Sequence, residues 1–335
     1  MTATAILNAS NTPPVLPGVV GSSEELRAAA SLVPMIADSD ATCLLMGETG
    51  TGKELFARAI HYFSERKHKP FVPLNCGAIP DLLFENELFG HARGAYTDAS
   101  SQETGVLAFA EGGTLFLDEI DALSASAQAK LLRVLQEQEY RPIGSPRLIS
   151  MNVRIVAATN KNLQAAVESR QFREDLFYRV NVLRLIVPAL RDRPTDIPLL
   201  AEHFIGQYAE RHCRAAAKMD STALDQLLAY SWPGNVRELQ SVIQRAVLMS
   251  NRVCLTAADL DLPDSPRPAA LTLRAAKDQA IAQFERRYLS DTLNRCEGNV
   301  SRAAQMAGKE RRTFQRLLRK YHLAGAAFRP CQSES

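Results

Sequence analysis

The stretch Gly47-Glu-Thr-Gly-Thr-Gly-Lys53 decides how the rest of the chain is read. A short apolar run, Cys43-Leu-Leu-Met46, stands in front of it, and the helical pattern Leu55-Phe-Ala-Arg-Ala-Ile60 follows. A strand, a glycine-rich turn and a helix in this order form a phosphate cradle. Backbone N–H groups of Gly47, Glu48, Thr49, Gly50, Thr51 and Gly52, with the helix N-terminus, would face the anion, and Lys53 would reach its outer phosphates. The general motif places Ser or Thr after the lysine to contact Mg²⁺. Here that residue is Glu54, so a metal has to depend more on other ligands.

A candidate ligand lies downstream. Gly113-Thr-Leu-Phe-Leu-Asp-Glu119 is a β-rich apolar run that ends in two carboxylates, as a buried parallel strand delivers them at its C-terminal edge. Asp118 is the expected Mg²⁺ holder, usually through water, and Glu119 the group that polarises an attacking water. Phe71-Val-Pro-Leu-Asn75 and Val153-Arg-Ile-Val-Ala-Ala-Thr-Asn160 also end in polar residues, Asn75 and the pair Thr159 and Asn160. Several strands that bring polar ends to one edge predict a doubly wound parallel α/β sheet with its ligand in the crevice there. Between them, Ala127–Gln138 carries Leu131, Leu132 and Leu135 at helical spacing.

At 335 residues, 46% hydrophobic and 23% charged, the chain has material for two or three domains. No Lys or Arg precedes Arg27, and no run approaches the roughly 18 apolar residues of a membrane span, so a cytoplasmic protein is expected. Six scattered cysteines without a CxxC pair or a His partner at metal spacing predict reduced thiols and no metal. Charge is uneven. Leu271–Leu323 holds twelve Lys/Arg against five Asp/Glu, a net +7 that leaves −5 for the rest of a chain totalling +2. An acidic body with a basic end is the asymmetry of a small domain that meets a polyanion.

Within that basic end, Ile281, Phe284, Tyr288 and Leu293 share a helical face, and Glu297-Gly-Asn299 supplies a break and an N-cap. Val300–Ala307, a turn at Gly308 and Arg311–Lys320 then read as a helix-turn-helix. Its second helix would read duplex DNA with Arg311, Arg312, Gln315, Arg316, Arg319 and Lys320, on a core face of Phe314, Leu317 and Leu318. The proline-rich stretch Leu262-Pro-Asp-Ser-Pro-Arg-Pro268 reads as a linker.

These motifs together resemble the AAA+ ATPases of bacterial enhancer-binding proteins, which activate sigma-54 RNA polymerase, over about residues 18 to 323. Gly47–Glu54 matches that family's own Walker A, Glu54 included. The resemblance implies ATP and Mg²⁺ as cofactors, with Asp118 and Glu119 as Walker B, Asn75 as the switch on the catalytic glutamate, and Thr159-Asn160 as sensor I. Phe172-Arg-Glu-Asp-Leu-Phe-Tyr-Arg179 resembles the segment that inserts two arginines into a neighbouring subunit's ATP, so it implies Arg173 and Arg179 as arginine fingers and a ring, a hexamer assembled from dimers. Trp232-Pro-Gly-Asn-Val-Arg-Glu-Leu239 resembles the sensor II signature and makes Arg237 a phosphate contact from a helical lid, with Trp232 in the lid core. Gly94-Ala-Tyr-Thr-Asp-Ala99 takes the place of the family's Gly-Ala-Phe-Thr-Gly-Ala, the loop that grips sigma-54; Tyr96 keeps an aromatic, Thr97 is retained and Asp98 replaces glycine.

The resulting organisation is an N-terminal tail over 1–17, an α/β ATPase over 18–190, a helical lid over 191–261, a linker over 262–270, a Fis-type helix-turn-helix over 271–323 and a tail over 324–335. Only about twenty residues precede the ATPase, so no sensory domain is expected there, and control would come from a trans-acting regulatory protein, from expression level, or be absent. Two readings compete: an ATP-driven remodeller of sigma-54 closed complexes, and a DNA-binding regulator that uses ATP for assembly alone, to which Asp98 gives weight. An unfoldase or helicase fits the ATPase and not the helix-turn-helix.

Overall fold

The computed structural model describes residues 16–95, 101–212, 218–250 and 254–262, and in the C-terminal part residues 288–289, 292–293, 296 and 299–320. The chain divides into two compact units, Met1–Pro263 and Asp264–Ser335. In the first, five strands form one sheet: β1 (Cys43–Met46), β2 (Phe71–Asn75), β3 (Thr114–Asp118), β4 (Arg154–Thr159) and β5 (Leu183–Ile186). All pair in parallel, in the order β2-β3-β4-β1-β5. From β1 the chain crosses to the far edge, returns strand by strand, and ends on the other side of β1. That reversal puts the turn after β1 in the crevice at the carboxyl edge of the sheet.

Both faces are covered, which is why these strands read as continuous apolar runs. Strand alternation divides them. Leu115 and Leu117 of β3 face one core with α3 (Asp81–Phe89), α4 (Ala125–Glu137) and α5 (Glu174–Val180). Phe116, between them, faces the other core with α1 (Glu24–Ala37) and α2 (Lys53–Phe63). Leu16, which the sequence left in the N-terminal tail, is buried in this second core. Ser124 caps α4 and Leu131, Leu132 and Leu135 are buried, as their spacing predicts. Arg154 is buried at the start of β4 and donates to the carbonyls of Ala37 at 3.0 Å and Ile36 at 2.5 Å. It therefore satisfies orphan acceptors at the end of α1 and places positive charge against the negative end of the helix.

After β5 the chain forms a helical lid of α6 (Asp196–Arg211), α7 (Ser221–Ala229) and α8 (Asn235–Met249). Trp232 is fully buried in its core and donates its indole N–H to the Leu227 carbonyl at 2.8 Å. Beside α3, Gly90-His91 pairs antiparallel with Glu103-Thr104 and forms a stem under the loop that carries Gly94–Ala99. Gly90 has φ +72, and a Cβ there would run into the Glu103 carbonyl oxygen. Gly94 and Ala95 belong to the described residues; Tyr96, Thr97, Asp98 and Ala99 lie outside them.

In the second unit, α9 (Val300–Met306) and α10 (Arg311–Lys320) flank a turn with Gly308 at φ +61. The Asn299 side chain caps α9, accepting from Ser301 N and Arg302 N at 3.1 and 3.2 Å. Phe314 and Leu318 are buried and Leu317 packs on their cluster, while Arg311, Arg312, Gln315 and Arg316 are exposed. The side chains of Arg319 and Lys320 lie outside the described residues, as do Ile281 and Phe284. The expected apolar face ahead of this motif is corrected in one place: Leu289, Leu293 and Cys296 enter the core, and Tyr288 is 43% exposed. Tyr288 sits about 100° around a helix from Leu289, at the margin of that stripe. Among the described residues no helix is long and apolar enough to cross a membrane.

Phe116 is 1% exposed and stacks on Phe71 at a centroid distance of 6.1 Å, so it ties β3 to β2 inside the second core. Phe116→Ala is expected to lower the unfolding free energy by about 3–5 kcal/mol, read from the urea midpoint and slope.

Candidate active site

A cavity of about 540 Å³ opens at the carboxyl edge of the sheet, lined among others by Gly50, Lys53, Asp118, Arg193, Phe204 and Arg237. This volume lies in the range of small-ligand sites, and both the sheet unit and the lid contribute walls. Gly50 at φ +80 and Gly52 at φ +98 shape the turn in a region that glycine occupies without steric cost. Lys53, the first residue of α2, donates from Nζ to the carbonyls of Gly47 at 2.9 Å and Glu48 at 3.1 Å. Burial pushes its ammonium pKa down, and the carboxylates of Asp118 and Glu119 push back. Glu54 also lines the cavity, half exposed and held by Arg58 at 2.7 Å in an (i, i+4) ion pair.

Asp118 and Glu119 stand at the carboxyl end of β3, as the apolar run ahead of them predicts. Asp118 ends β3 beside Asn75 of β2, its register partner, and its Oδ1 accepts from Glu119 N at 2.9 Å. Glu119 adopts φ 54, ψ 45, a left-handed backbone that costs a residue with a Cβ about 1–2 kcal/mol. The Asn75 Oδ1 accepts from Gly77 N at 2.8 Å and Ala78 N at 3.1 Å. A Cβ on Gly77 would run into Glu119 Oε2, so that glycine lets the Asn75 turn approach the glutamate.

Thr159 and Asn160 leave β4 in different directions. The Thr159 hydroxyl donates to Asp121 Oδ1 at 2.6 Å, and Lys161 Nζ pairs with Asp121 Oδ2 at 3.1 Å. Asn160 Nδ2 donates to Thr49 Oγ1 at 2.8 Å, linking the end of β4 to the glycine-rich turn. Sequence reasoning missed Asp121, whose only signal was a third carboxylate just past the Asp-Glu pair. It also missed Arg191. Arg191 forms a bidentate pair with the Glu48 carboxylate at 2.7 and 2.5 Å, and with Asn235 it holds the Glu48 pKa at about 2.

Arg173 and Arg179 are not brought to this chain's own phosphate turn. Arg173 precedes α5 and its guanidinium pairs with Asp175 at 2.7 Å. Arg179, in the last turn of α5, donates from Nε and Nη2 to the Leu135 carbonyl at 3.1 and 2.7 Å. Within Phe172–Arg179 the helix starts only at Glu174, because Arg173 takes an extended backbone as its N-cap.

Residues 19–186 match the sigma-54 interaction domain, 191–271 the AAA+ ATPase lid domain, and 280–321 the Fis family of bacterial regulatory proteins. The chain belongs to the sigma-54-interacting AAA+ regulators. It is 47% identical over 295 residues to the transcriptional regulatory protein GlrR of Escherichia coli K12, covering 88% of this chain and 66% of that protein. It is 43% identical over 298 residues to ZraR of the same organism, covering 89% and 67%. The chain thus spans about two thirds of the length of these curated relatives. The structure of NtrX from Brucella abortus in complex with ATP superposes with a TM-score of 0.69 at 36% identity, covering 91% of this chain and 69% of that one. The chain is thus an AAA+ ATPase, and the cavity between the glycine turn, the end of β3 and the lid is its candidate nucleotide site.

Glu48 gives this site an acid signature. Its folded pKa of about 2 lies below the ordinary 4.5, so its stabilisation is complete above pH 4.5 and disappears as pH falls toward 2. The melting temperature of Glu48→Gln should therefore fall below wild type at pH 7, and the gap should narrow between pH 4.5 and pH 2.5 in calorimetric scans.

Proposed function

We propose that this protein is a DNA-bound, ATP-hydrolysing transcription activator that remodels sigma-54 RNA polymerase closed complexes. The observation that carries this reading is the conjunction, in one chain, of a Walker A and B site, a loop on a two-stranded stem between them, and a basic helix-turn-helix. ATP lies with its phosphates on Gly47–Gly52 and against Lys53, between the sheet and Arg237 of the lid. Asp118 has the chemistry to hold Mg²⁺, since one carboxylate oxygen accepts from Glu119 N and the other is left for a water of the ion. Mg²⁺ bound there would neutralise charge on the phosphate oxygens.

Glu119 accepts a hydrogen bond from the attacking water and draws a proton from it as the water oxygen bonds to the terminal phosphorus, while the bond from that phosphorus to the bridging oxygen breaks and leaves ADP and phosphate. Asn75 and the turn through Gly77 set the carboxylate's position. Arg173 and Arg179 do not line this chain's cavity; their cations serve a neighbouring subunit, and hydrolysis needs a ring, with a hexamer as its form. Arg311, Arg312, Gln315 and Arg316, with Arg319 and Lys320, bind the duplex. Gly94–Ala99 is the polymerase contact, and the stem at Gly90 and Thr104 fixes its base. The cytoplasm is the compartment where these partners meet.

Glu119→Gln is expected to retain ATP binding while turnover falls on the order of 100-fold or more, measured by calorimetric titration and phosphate release. Tyr96→Ala and Thr97→Ala should leave ATP hydrolysis and DNA binding near wild type and abolish open-complex formation with purified sigma-54 polymerase. If the wild-type protein hydrolyses ATP and yields no open complexes, Asp98 marks a regulator that uses ATP for assembly alone.

A further inference from the structure

The lid holds the phosphate turn residue by residue. Four consecutive members of the turn each accept a hydrogen bond from a lid group. The Glu48 carboxylate accepts from Arg191 and, at 3.1 Å, from Asn235 Nδ2. The Thr49 carbonyl accepts from the same Asn235 Nδ2 at 3.0 Å. The Gly50 carbonyl accepts from Arg237 N at 3.3 Å, and the Thr51 carbonyl from Arg193 Nη2 at 3.2 Å. The approach is close enough that a Cβ on Gly50 would run into the Gly234 carbonyl oxygen.

Asn235 is the hub of this contact. It is fully buried, and its backbone at φ 52 is one that Asn tolerates better than most residues. Its Oδ1 accepts from Leu190 N at 2.8 Å, at the junction between β5 and the lid, while its amide nitrogen serves Glu48 and Thr49. One side chain thus joins three points: the sheet's exit, the lid helix α8 and the turn that faces phosphate. Arg237 is one of the lid residues that line the cavity, whereas Asn235 has no exposed surface and reaches a nucleotide only through the turn.

We propose that Asn235 is a positioning residue that imposes the phosphate-binding conformation of Glu48 and Thr49 from the lid, so that turn and lid move as one body. The proposal rests on the ATPase site described above. A turn held in this way loses little conformational freedom when its N–H groups bind phosphate, so the clamp contributes to affinity in proportion to the phosphates bound and not to the base. It follows that loss of the clamp separates nucleotides by phosphate number.

The test uses the full chain with Asn235→Asp and Asn235→Gly. Aspartate keeps the acceptor for Leu190 N and removes the donor to the turn; glycine keeps the positive φ and removes the whole side chain. Dissociation constants are measured for ATP and ADP by calorimetry with Mg²⁺, and for adenosine by competition against a fluorescent ADP. Both variants should weaken ATP on the order of tenfold or more, ADP less than ATP, and adenosine by no more than about twofold. Combining either with Glu48→Gln should cost less than the sum of the single changes, because both act on the same clamp. ATP affinity within twofold of wild type in both variants, additive effects in the double variants, or adenosine weakened in parallel with ATP would each overturn the proposal, the last by reducing Asn235 to a lid-folding residue. A wild-type protein that binds no ATP would instead defeat the ATPase reading itself.

Discussion

A peptide turn that presents its N–H groups to a polyanion keeps few of them for its own carbonyls: here Thr51 N and Oγ1 reach the Glu48 carbonyl at 3.4 and 2.9 Å, and the turn's carbonyls otherwise need donors from elsewhere. The structure accounts for them one by one. Lys53 Nζ takes the carbonyls of Gly47 and Glu48, Asn235 that of Thr49, the Arg237 N–H that of Gly50 and Arg193 that of Thr51. Three of the four donors belong to the lid. The lid is therefore part of the phosphate site before it is a cover over the nucleotide, and the sheet unit alone would leave Thr49, Gly50 and Thr51 without these partners.

Much of this architecture was legible in the sequence because it follows from short-range rules. Cys43–Met46 and Thr114–Asp118 read as strands from continuous apolar runs, and the doubly wound sheet from polar residues at their ends. The helix before Gly308 read from its Asn299 cap, and the helix after it from the spacing of Phe314 and Leu318. What was not legible depended on which distant groups meet. Arg191 and Arg193 look like solvated charges in Leu190-Arg-Asp-Arg193, yet Arg193 is 3% exposed and Arg191 is paired across 143 residues with Glu48. Asn235 carried one local signal, an Asn after Gly234 where a helix begins, and nothing in that pattern says its amide reaches residue 49. Tyr288 failed for a different reason: a stripe of apolar residues does not define its own edge to within one position.

The division of the site between near and remote residues also bears on Glu54. The general motif places a metal-binding hydroxyl after the lysine, and here a carboxylate forms an exposed ion pair with Arg58. Arg58 in turn lies over the Phe71 ring at 4.7 Å, so the pair lines the cavity on the α2 side and reaches the edge of β2. Glu54 is thus engaged by Arg58 at the cavity wall, and the carboxylates left for a cation are those at the end of β3.

At the end of β3 the chain turns through Glu119 in a left-handed conformation that no glycine relieves. Such strain persists only where both flanks are held. On one side Asp118 Oδ1 binds the Glu119 N–H; on the other Asp121, two residues on, is fixed by the Thr159 hydroxyl and Lys161. A glycine would adopt this backbone freely and would bring no carboxylate. A strand that simply continued would send the Glu119 side chain to one face of the sheet, into apolar packing. The left-handed turn keeps the carboxylate at the carboxyl edge, next to Gly77 and Asn75, where a water on its way to phosphate can be met, and the ion-paired Asp121 keeps that turn from relaxing.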